Sequence, residues 1–392
     1  MDTMNTNDNL DLLHQTGPGT LMGRLLRRFW QPVATSASVA PGKARGIRIL
    51  CEDLTVYRGE SGAAHLVGGR CAHRGTALHT GWVEGDDLRC MYHGWRYDSA
   101  GLCVEIPAEP KARERPLRVA GYPVHEYSGL IFAYMGEGAP PEFKLPRKHM
   151  LEEPGRHIVN IEQAWDCNWF QQIENSLDAV HVSFVHTWGK STRFDQGITT
   201  SIPTLSFEET CSGVRQYATR SKDNVRVSDW TFPNNNHVLM PGPQKGDPWS
   251  NVTIWRVPID DHRTMRFAIS SYHSTMGEEA RLLREGHDFA YNPADDFDMI
   301  VNRHELPAVS DAQMIAVQDY AAVRGQGTIA NRLGENLSLS DAGILFVRKI
   351  FMREMDAIQL GQPTKAWTPL EEKYELSVPA AERQAAPGAK PQ

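Results

Sequence analysis

Apolar residues near the start of the chain recur at the spacing of an amphipathic helix. Leu21 and Leu25 lie one turn apart, and Thr20 stands where its hydroxyl could accept the first free N–H groups. Pro32, which cannot continue a helix, follows shortly afterwards. The pattern therefore predicts an N-terminal helical segment within residues 1–32.

Short runs of strand-forming residues come next, and turn residues separate them. Gly85-Asp86 and Ala100-Gly101 are two of these turn signals. The order of runs and turns predicts a small antiparallel β domain over residues 33–138. The strand-like runs cover residues 46–50, 54–58, 64–67, 88–91, 96–98 and 130–134.

Beyond a proline-containing stretch at residues 139–146 the pattern changes. Strands followed by helices predict an α+β domain, with helices against one face of an antiparallel sheet. We assign residues 139–377 to this domain and expect the tail 378–392, rich in Pro, Ala and Gln, to be disordered. The strand-like segments are residues 205–207, 216–219, 225–232, 252–257 and 265–273, and helical patterns follow them to about residue 360.

Length, charge and cysteine content narrow the class of protein. A chain of 392 residues is longer than a single hydrophobic core normally supports, which predicts two domains. Its net charge of −7, with no basic patch, argues against a nucleic-acid partner. The N-terminus is acidic where a signal peptide would be basic, and there is no run of about 18 apolar residues, the length of a membrane helix. Four of the six cysteines follow no disulfide pattern. We expect a cytoplasmic protein with reduced thiols and no membrane contact.

Two short Cys/His pairs, Cys71-Ala-His73 and Cys90-Met-Tyr-His93, are the most specific chemical signal. Two thiolates and two imidazoles can hold an asymmetric 2Fe-2S cluster, with one iron on the thiolates and the other on the imidazoles. The same four side chains also suit tetrahedral zinc, and their types alone do not separate the two metals. A glycine follows each histidine closely, so each pair is predicted at the tip of a glycine-turned loop.

The two segments CAHRG and CMYHGW resemble the Rieske iron-sulfur motif. The resemblance implies that Cys71 and Cys90 hold one iron of a 2Fe-2S cluster and that His73 and His93 hold the other. Such ligation raises the reduction potential above that of an all-cysteine ferredoxin.

A second polar constellation lies on the otherwise apolar run at residues 166–186. Asn175, Asp178 and His181 recur every three residues, so we predict that they share one face of a helix. His186 breaks this period, and it can reach a metal together with His181 only if the helix ends or widens between them. From the spacing alone, two hydrogen-bonded core histidines stay an alternative.

The D-x2-H-x4-H spacing of Asp178, His181 and His186 resembles the catalytic-iron motif of Rieske non-haem iron oxygenases. The longer stretch QIENSLDAVHVSFVH is similar to the phthalate-oxygenase branch, and the likeness extends over nearly the whole chain. It implies a helix-grip catalytic domain in which two histidines and one carboxylate hold Fe(II). The resemblance favours Asp319, in a helical pattern at residues 311–324, as that carboxylate, ahead of Asp311 and Asp341.

Roles for further residues follow within this interpretation. Asp178 is predicted to carry electrons between the metal centres, because its carboxylate can accept an N–H from His181 and one from a cluster histidine. Asn175 could contact the open coordination space or the substrate. Arg220 and Arg226, in the sheet region, could pair with a substrate carboxylate.

The partners are also implied by the resemblance. The chain has no convincing nucleotide or flavin motif, so we expect electrons from a separate NAD(P)H-dependent reductase, with O2 and an aromatic, carboxylated molecule as substrates. The family implies a homotrimer, or stacked trimers, in which the cluster of one subunit serves the iron of its neighbour. The product could come from ring hydroxylation, O-demethylation or aryl-ether cleavage. A pure electron carrier and a zinc-stabilised binding module are the alternatives from other functional classes.

Overall fold

The computed structural model describes residues 10–109, 116–145, 149–152, 154–188, 201–222, 224–240, 250–273, 291–309 and 311–367. The chain divides into two compact units. The first described here, the cluster unit, is Gln15–Phe143 together with Val257–Asp261. The second, the catalytic unit, comprises the described residues of Met1–His14, Lys144–Arg256 and His262–Gln392.

Within the described residues, the cluster unit contains three small antiparallel sheets, in agreement with the small antiparallel β domain that the sequence predicts. Their strand orders are β1-β11-β10, β2-β3-β4-β9 and β5-β6-β7-β8. A short helix precedes them, and the elements are α1 Leu21–Arg27, β1 Gln31–Thr35, β2 Ala44–Ile49, β3 Glu52–Arg58, β4 Ala64–Gly68, β5 Trp82–Glu84, β6 Asp87–Arg89, β7 Arg96–Tyr97, β8 Cys103–Glu105, β9 Gly121–Tyr122, β10 Val124–Tyr127 and β11 Leu130–Ala133.

The predicted cap of α1 is confirmed, because the Thr20 hydroxyl accepts a hydrogen bond from the Gly23 N–H at 3.0 Å. The helix ends at Arg27, before Pro32. Its last residue is buried, and its guanidinium pairs with Glu52 at 2.6 Å. A buried arginine thus fastens the helix to β3.

The turn between β2 and β3 has an unusual backbone. Leu50 and Cys51 both have positive φ angles, 51° and 66°, although neither is glycine. Two consecutive residues in this region are what a tight hairpin turn of matching twist requires. The segment Val257–Asp261 supplies acceptors for this turn: Leu50 N–H donates to the Pro258 carbonyl at 2.7 Å, and Cys51 N–H donates to that of Ile259 at 3.0 Å.

The catalytic unit is built on one seven-stranded antiparallel sheet with the order β12-β18-β17-β16-β15-β14-β13. Its elements are α2 His149–Glu152, β12 Arg156–Trp165, α3 Trp169–Ser176, α4 Val185–Trp188, β13 Thr204–Glu209, β14 Gly213–Ser221, β15 Asn224–Thr231, β16 Asn235–Met240, β17 Ser250–Pro258, β18 Thr264–His273, α5 Asp311–Gly325 and α6 Ala342–Gln359. The last two residues of β17, Val257 and Pro258, belong to the cluster unit. The α+β prediction for this part of the chain is confirmed.

An aromatic cluster fixes α3 and α6 to the sheet. Phe351 of α6 is fully buried. Its ring lies 5.6 Å from that of Trp169 and 5.1 Å from that of Phe170, both on α3. It also lies 4.9 Å from the ring of Phe232, just beyond β15. Burial of several aromatic side chains of this size is a large stabilising contribution.

One helix prediction is wrong. Asn175, Asp178 and His181 do not share a helical face, because α3 ends at Ser176 and Leu177 has left the helical region at φ −105° and ψ 3°. His181 begins a separate 3-10 turn, and His186 lies in α4. The helix therefore ends between Asn175 and the two histidines, which frees both imidazoles to point at one place.

No helix within the described residues is long and apolar enough to cross a membrane. The tail predicted to be disordered, residues 378–392, lies outside the described residues.

Candidate metal centres and substrate cavity

Two loops of the cluster unit present the Cys/His pairs, and they share one backbone design. Gly75 and Gly94 have φ angles of +75° and +72°, which only glycine adopts without penalty. In the first loop Gly75 N–H donates to the Cys71 carbonyl at 2.9 Å, and in the second Gly94 N–H donates to that of Cys90 at 3.1 Å. The glycine-turned loops predicted from the sequence are confirmed.

The loops place the thiols inside the unit and the imidazoles outside it. Cys71 and Cys90 are 4% and 1% exposed, whereas His73 and His93 are exposed. The two Nδ1 atoms of the histidines lie 3.1 Å apart. The Trp95 ring stacks on the His73 ring at 4.7 Å. Buried thiols therefore form one end of the site and exposed imidazoles the other.

This separation distinguishes a two-metal cluster from a single zinc ion. A tetrahedral zinc would need all four donors around one point. Among the described residues only His181, His186 and Asp319 offer three donor atoms within 4.8 Å of one another, so the four loop donors do not form such a group. Two separate pairs fit a 2Fe-2S cluster, in which each iron has its own pair.

Tyr97 is a residue at this site that the sequence analysis missed. Its hydroxyl lies 3.1 Å from Cys71 Sγ and accepts a hydrogen bond from the Ala72 N–H at 3.0 Å. Burial raises the pKa of the neighbouring Cys90 thiol, so a thiolate at this position needs a bound cation. The only sequence signal for Tyr97 is its place shortly after the second Cys/His pair.

The second group of donors lies in the catalytic unit. Asp319 Oδ1 lies 3.6 Å from His181 Nε2 and 3.5 Å from His186 Nε2. This oxygen is buried and accepts no hydrogen bond from the described residues. A buried carboxylate oxygen that faces two imidazole nitrogens and accepts no hydrogen bond from the described residues fits a cation ligand. Two histidines and one carboxylate are the donor set of non-haem Fe(II) sites.

Outer contacts hold both imidazoles in place. The Nδ1 of His186 lies 3.1 Å from Gln318 Oε1, so the Nδ1–H can donate to that amide and leave Nε2 for a metal. The Nδ1 of His181 faces Asp178 Oδ2 at 3.6 Å. Asp178 Oδ1 meanwhile accepts the Val180 N–H at 2.9 Å. Gln318 was not singled out from the sequence, and its only signal is its position directly before Asp319.

The charges around the imidazoles favour a bound cation. Burial lowers the pKa of His186, which keeps its imidazole neutral as a metal ligand must be. At His181 burial acts in the same direction, but the carboxylates of Asp178 and Asp319 raise the pKa overall. Burial would raise the pKa of Asp178, but its interactions with His181 and with backbone N–H groups lower it overall.

Comparison with known proteins decides the family. Residues 29–124 match the Rieske [2Fe-2S] domain. A 5,5'-dehydrodivanillate O-demethylase oxygenase subunit from Sphingobium sp. is 33% identical over 371 residues, which cover 91% of this chain and 82% of that one. The chain is a Rieske oxygenase. It acts with molecular oxygen, and its cofactors are a Rieske 2Fe-2S cluster and a mononuclear iron.

Two further relatives are similar to this Rieske oxygenase along most of its length. A tert-butanol monooxygenase / tert-amyl alcohol desaturase oxygenase subunit from Aquincola tertiaricarbonis is 32% identical and covers 87% of this chain and 75% of its own. A phthalate 4,5-dioxygenase oxygenase subunit from Pseudomonas putida is 28% identical, with 87% and 84% covered. All three relatives are oxygenase subunits, so this chain is the oxygenase component of a multicomponent system.

A solved structure shares the fold of the Rieske oxygenase. The oxygenase in the oxygenase and ferredoxin complex of carbazole 1,9a-dioxygenase aligns with a TM-score of 0.63 at 20% identity, over 86% of this chain and 92% of that one. The agreement supports a small antiparallel domain joined to a larger domain of sheet and helices.

A cavity of about 260 Å³ lies beside the three donors of the catalytic unit. Asn175 and Arg226, two of the substrate contacts predicted from the sequence, line it together with Asp178, the predicted bridge for electrons. Arg220 is not among its described lining residues, and its Nε donates to the Ser201 carbonyl at 3.0 Å. Apolar side chains complete much of the wall: Ile161, Leu177, Val182, Trp230, Val238, Val252, Ile254 and Ile315.

Proposed function

We propose that this Rieske oxygenase hydroxylates an aromatic acid in the cavity of its catalytic unit. The observation that carries the proposal is that His181, His186 and Asp319 open onto a cavity with apolar walls and cationic side chains. A concave, mostly apolar site with a few polar groups is typical of small-molecule binding. Residues 33–138 are the proposed Rieske domain and residues 139–377 the proposed catalytic domain.

Cys71, Cys90, His73 and His93 are the proposed ligands of the cluster. The buried thiols and the exposed imidazoles support this assignment. Electrons can enter or leave the cluster through an exposed imidazole, while the cysteine ligands stay shielded from solvent. Burial of the sulfur side also controls the reduction potential.

Replacing His93 by alanine should abolish the visible and EPR signals of the Rieske cluster, because one iron loses half of its protein ligands. The mononuclear iron should still load, since its proposed ligands lie in the other unit. His79→Ala is a matched control, because His79 is an exposed histidine outside both Cys/His pairs. An unchanged cluster spectrum in His93→Ala would remove His93 from the ligand set.

His181, His186 and Asp319 are the proposed ligands of the mononuclear iron. When bound, Fe(II) in such a site supplies the activation of O2 next to the substrate. Gln318 fixes the ring of His186 through the contact at 3.1 Å, so the nitrogen that faces the metal keeps its lone pair. Asn175 lines the cavity and is the proposed polar contact to substrate or to the open coordination positions.

Asp178 is the proposed bridge for electrons from the cluster of a neighbouring subunit. Its Oδ2 faces His181, and 27% of its side chain stays exposed, so the carboxylate can accept a second N–H from outside. Phe184 and Trp188, close to it in sequence, are 57% and 47% exposed. Exposed apolar side chains of this size are common where another chain packs. They support packing against another subunit. The proposed assembly is a homotrimer or stacked trimers, and the proposed electron source is an NAD(P)H-dependent reductase.

Iron and sulfide content together with product analysis test the proposal. The purified protein should be red-brown, with about two acid-labile sulfides and about three irons per chain. With a surrogate reductase it should convert at least one compound from a panel of benzoates, phthalates, methoxylated aromatics and phenoxy aromatics. A colourless protein that holds zinc, or a fully loaded protein that converts none of the panel but oxidises an aliphatic alcohol, would contradict the proposed function.

O-demethylation is a second candidate reaction for the same site. The dehydrodivanillate O-demethylase subunit, at 33% identity, favours it. The two reactions give different products: a methoxylated acid would release formaldehyde and a phenol, whereas ring hydroxylation would keep every carbon in the product. Formaldehyde measured alongside the phenol would decide for demethylation.

A further inference from the structure

Two arginines on neighbouring strands face the cavity of the catalytic unit. Arg256 lies on β17 and Arg266 on β18, and both line the cavity. Arg256 is only 5% exposed, and its Nη1 donates to Asn236 Oδ1. Arg266 lies over the ring of Trp165 at 4.1 Å, and its Nη1 donates to Gln163 Oε1 at 3.3 Å. Both guanidinium groups are thus held in place by neutral side chains.

The same edge of each guanidinium has no partner. The Nε of Arg256 and that of Arg266 are buried without a hydrogen bond. Neither arginine forms an ion pair with a carboxylate among the described residues, and no hydrogen bond to those residues uses either Nη2. Nε and Nη2 together form the fork that binds a carboxylate through two parallel hydrogen bonds. Two such forks are therefore unused.

Other arginines of this unit show the usual arrangement. Arg332 and Arg348 are buried, and each pairs with Glu174, at 2.9 Å and 2.6 Å. Arg215 pairs with Asp229 at 3.2 Å. A buried charge without such a partner is costly, so natural proteins seldom keep one without a reason.

Both unpaired arginines stay charged. Burial lowers the pKa of Arg256 to about 9 and that of Arg266 to about 10, values at which both are cationic at neutral pH. Asp319 attracts both cations. If Asp319 binds the iron as proposed, however, the metal cation balances the negative charge of its carboxylate. The cavity is left with a surplus of positive charge that a bound anion would balance.

We propose that Arg256 and Arg266 form the binding site for the carboxylate of the substrate and thereby determine which acids this oxygenase accepts. The inference rests on the proposed function and deepens it, because it assigns the acid group of the substrate to named side chains. The carboxylate completes the unused forks and neutralises the buried cations. It also sets the orientation of the aromatic ring, since the forks are fixed by Asn236, Gln163 and Trp165 before the ligand arrives.

Calorimetric binding of benzoate and of its neutral analogue benzamide tests the inference. The titrations use the whole oxygenase as isolated, without reductant, so that binding is measured independently of turnover. Wild-type protein should bind benzoate about 10- to 100-fold more tightly than benzamide, as expected for one or two charge-assisted hydrogen bonds. Arg256→Gln and Arg266→Gln should each lower benzoate affinity about tenfold or more and leave benzamide affinity unchanged.

Arg303→Gln is the matched control, because Arg303 is an exposed arginine of the same unit, and it should bind both compounds as wild type does. Thermal melting of the ligand-free variants separates binding from structure. Loss of an uncompensated buried cation should leave the melting temperature of Arg256→Gln unchanged or raise it. A lower melting temperature with equal weakening of both ligands would make Arg256 structural and overturn the inference.

Equal affinity of the wild type for benzoate and benzamide, or no benzoate binding, would also overturn the assignment of an acid site. The oxygenase assignment would survive that result, because cluster content and turnover of a neutral aromatic are measured separately. Binding of benzoate that depends on Arg256 and Arg266, in a protein that turns over no aromatic acid, would instead support the anion site and contradict the proposed reaction.

Discussion

Replacing Asp319 by alanine should leave a red-brown protein whose cluster is still reducible but which forms no product. The proposed ligand set of the mononuclear iron loses its carboxylate, whose Oδ1 lies 3.6 Å from His181 Nε2 and 3.5 Å from His186 Nε2. Loss of an outer hydrogen-bond partner already costs about 10- to 100-fold in metal affinity, and loss of a direct ligand should cost more. The iron content should fall from about three to about two irons per chain, and the content of acid-labile sulfide should stay unchanged.

Asp311→Ala is the matched control for this experiment. Asp311 begins the same helix, α5, and was an alternative ligand from the sequence alone. Its substitution should leave iron content and product formation near wild-type values. Full activity in Asp319→Ala together with iron loss in Asp311→Ala would move the ligand to the start of the helix.

Replacing Asp178 by asparagine should leave both metal centres filled but slow electron transfer between them by orders of magnitude. The substitution keeps the size of the side chain but removes its charge, and it puts an amide donor where a second acceptor oxygen is needed. One of the two imidazole contacts of a bridge must then fail. Rapid-mixing measurement of cluster oxidation in a single turnover, with substrate bound, reports this step directly.

Metal content measured on the same sample separates a bridge from a local role. Asp178 Oδ1 also accepts the N–H groups of Val180 and His181, at 2.9 and 3.3 Å, so the residue could act only by shaping the 3-10 turn. In that case iron occupancy would drop, while the filled fraction transferred electrons normally. Asp356→Asn, at an exposed aspartate of α6, should change neither quantity. Normal occupancy with normal transfer in Asp178→Asn would end the bridging hypothesis.

The cluster loops were the most predictable part of the molecule. Each Cys/His pair and its glycine lie within a few consecutive residues, so local sequence specifies both the donors and the positive φ angle that turns the loop. The thiol and imidazole ends could not be predicted in the same way. They depend on which loop atoms the three sheets bury.

The break after α3 has one local signal, the Asp178 side chain, whose Oδ1 accepts the N–H groups of Val180 and His181. Neither glycine nor proline marks it, and the apolar run continues through Leu177 and Val180. A long-range contact also favours it, because the Leu177 carbonyl accepts a hydrogen bond from Gln216 Nε2 at 2.6 Å, and Gln216 lies on β14. A partner from another strand can thus end a helix that propensity alone would extend.

The cavity arginines were unpredictable for a similar reason. Arg226 could be named as a candidate from its place in a strand-like run, but so could Arg220, which lies outside the described lining of the cavity. Arg256 and Arg266 carry no motif. Their significance depends on the absence of carboxylate partners among the described residues, which only the folded arrangement of β17 and β18 reveals.

The hairpin turn at Leu50 and Cys51 limits how this oxygenase can be recombined with its relatives. The acceptors for its two N–H groups come from Pro258 and Ile259, far along the chain. A chimera that exchanges only the continuous stretch 15–143 would therefore move the turn without its acceptors and leave it beside a foreign segment. The cluster unit is discontinuous in sequence, so transferring it to a relative requires two splice regions. Substitutions at residues 257–261 are constrained by a turn about 200 positions earlier, because two carbonyls of this segment accept the N–H groups of that turn.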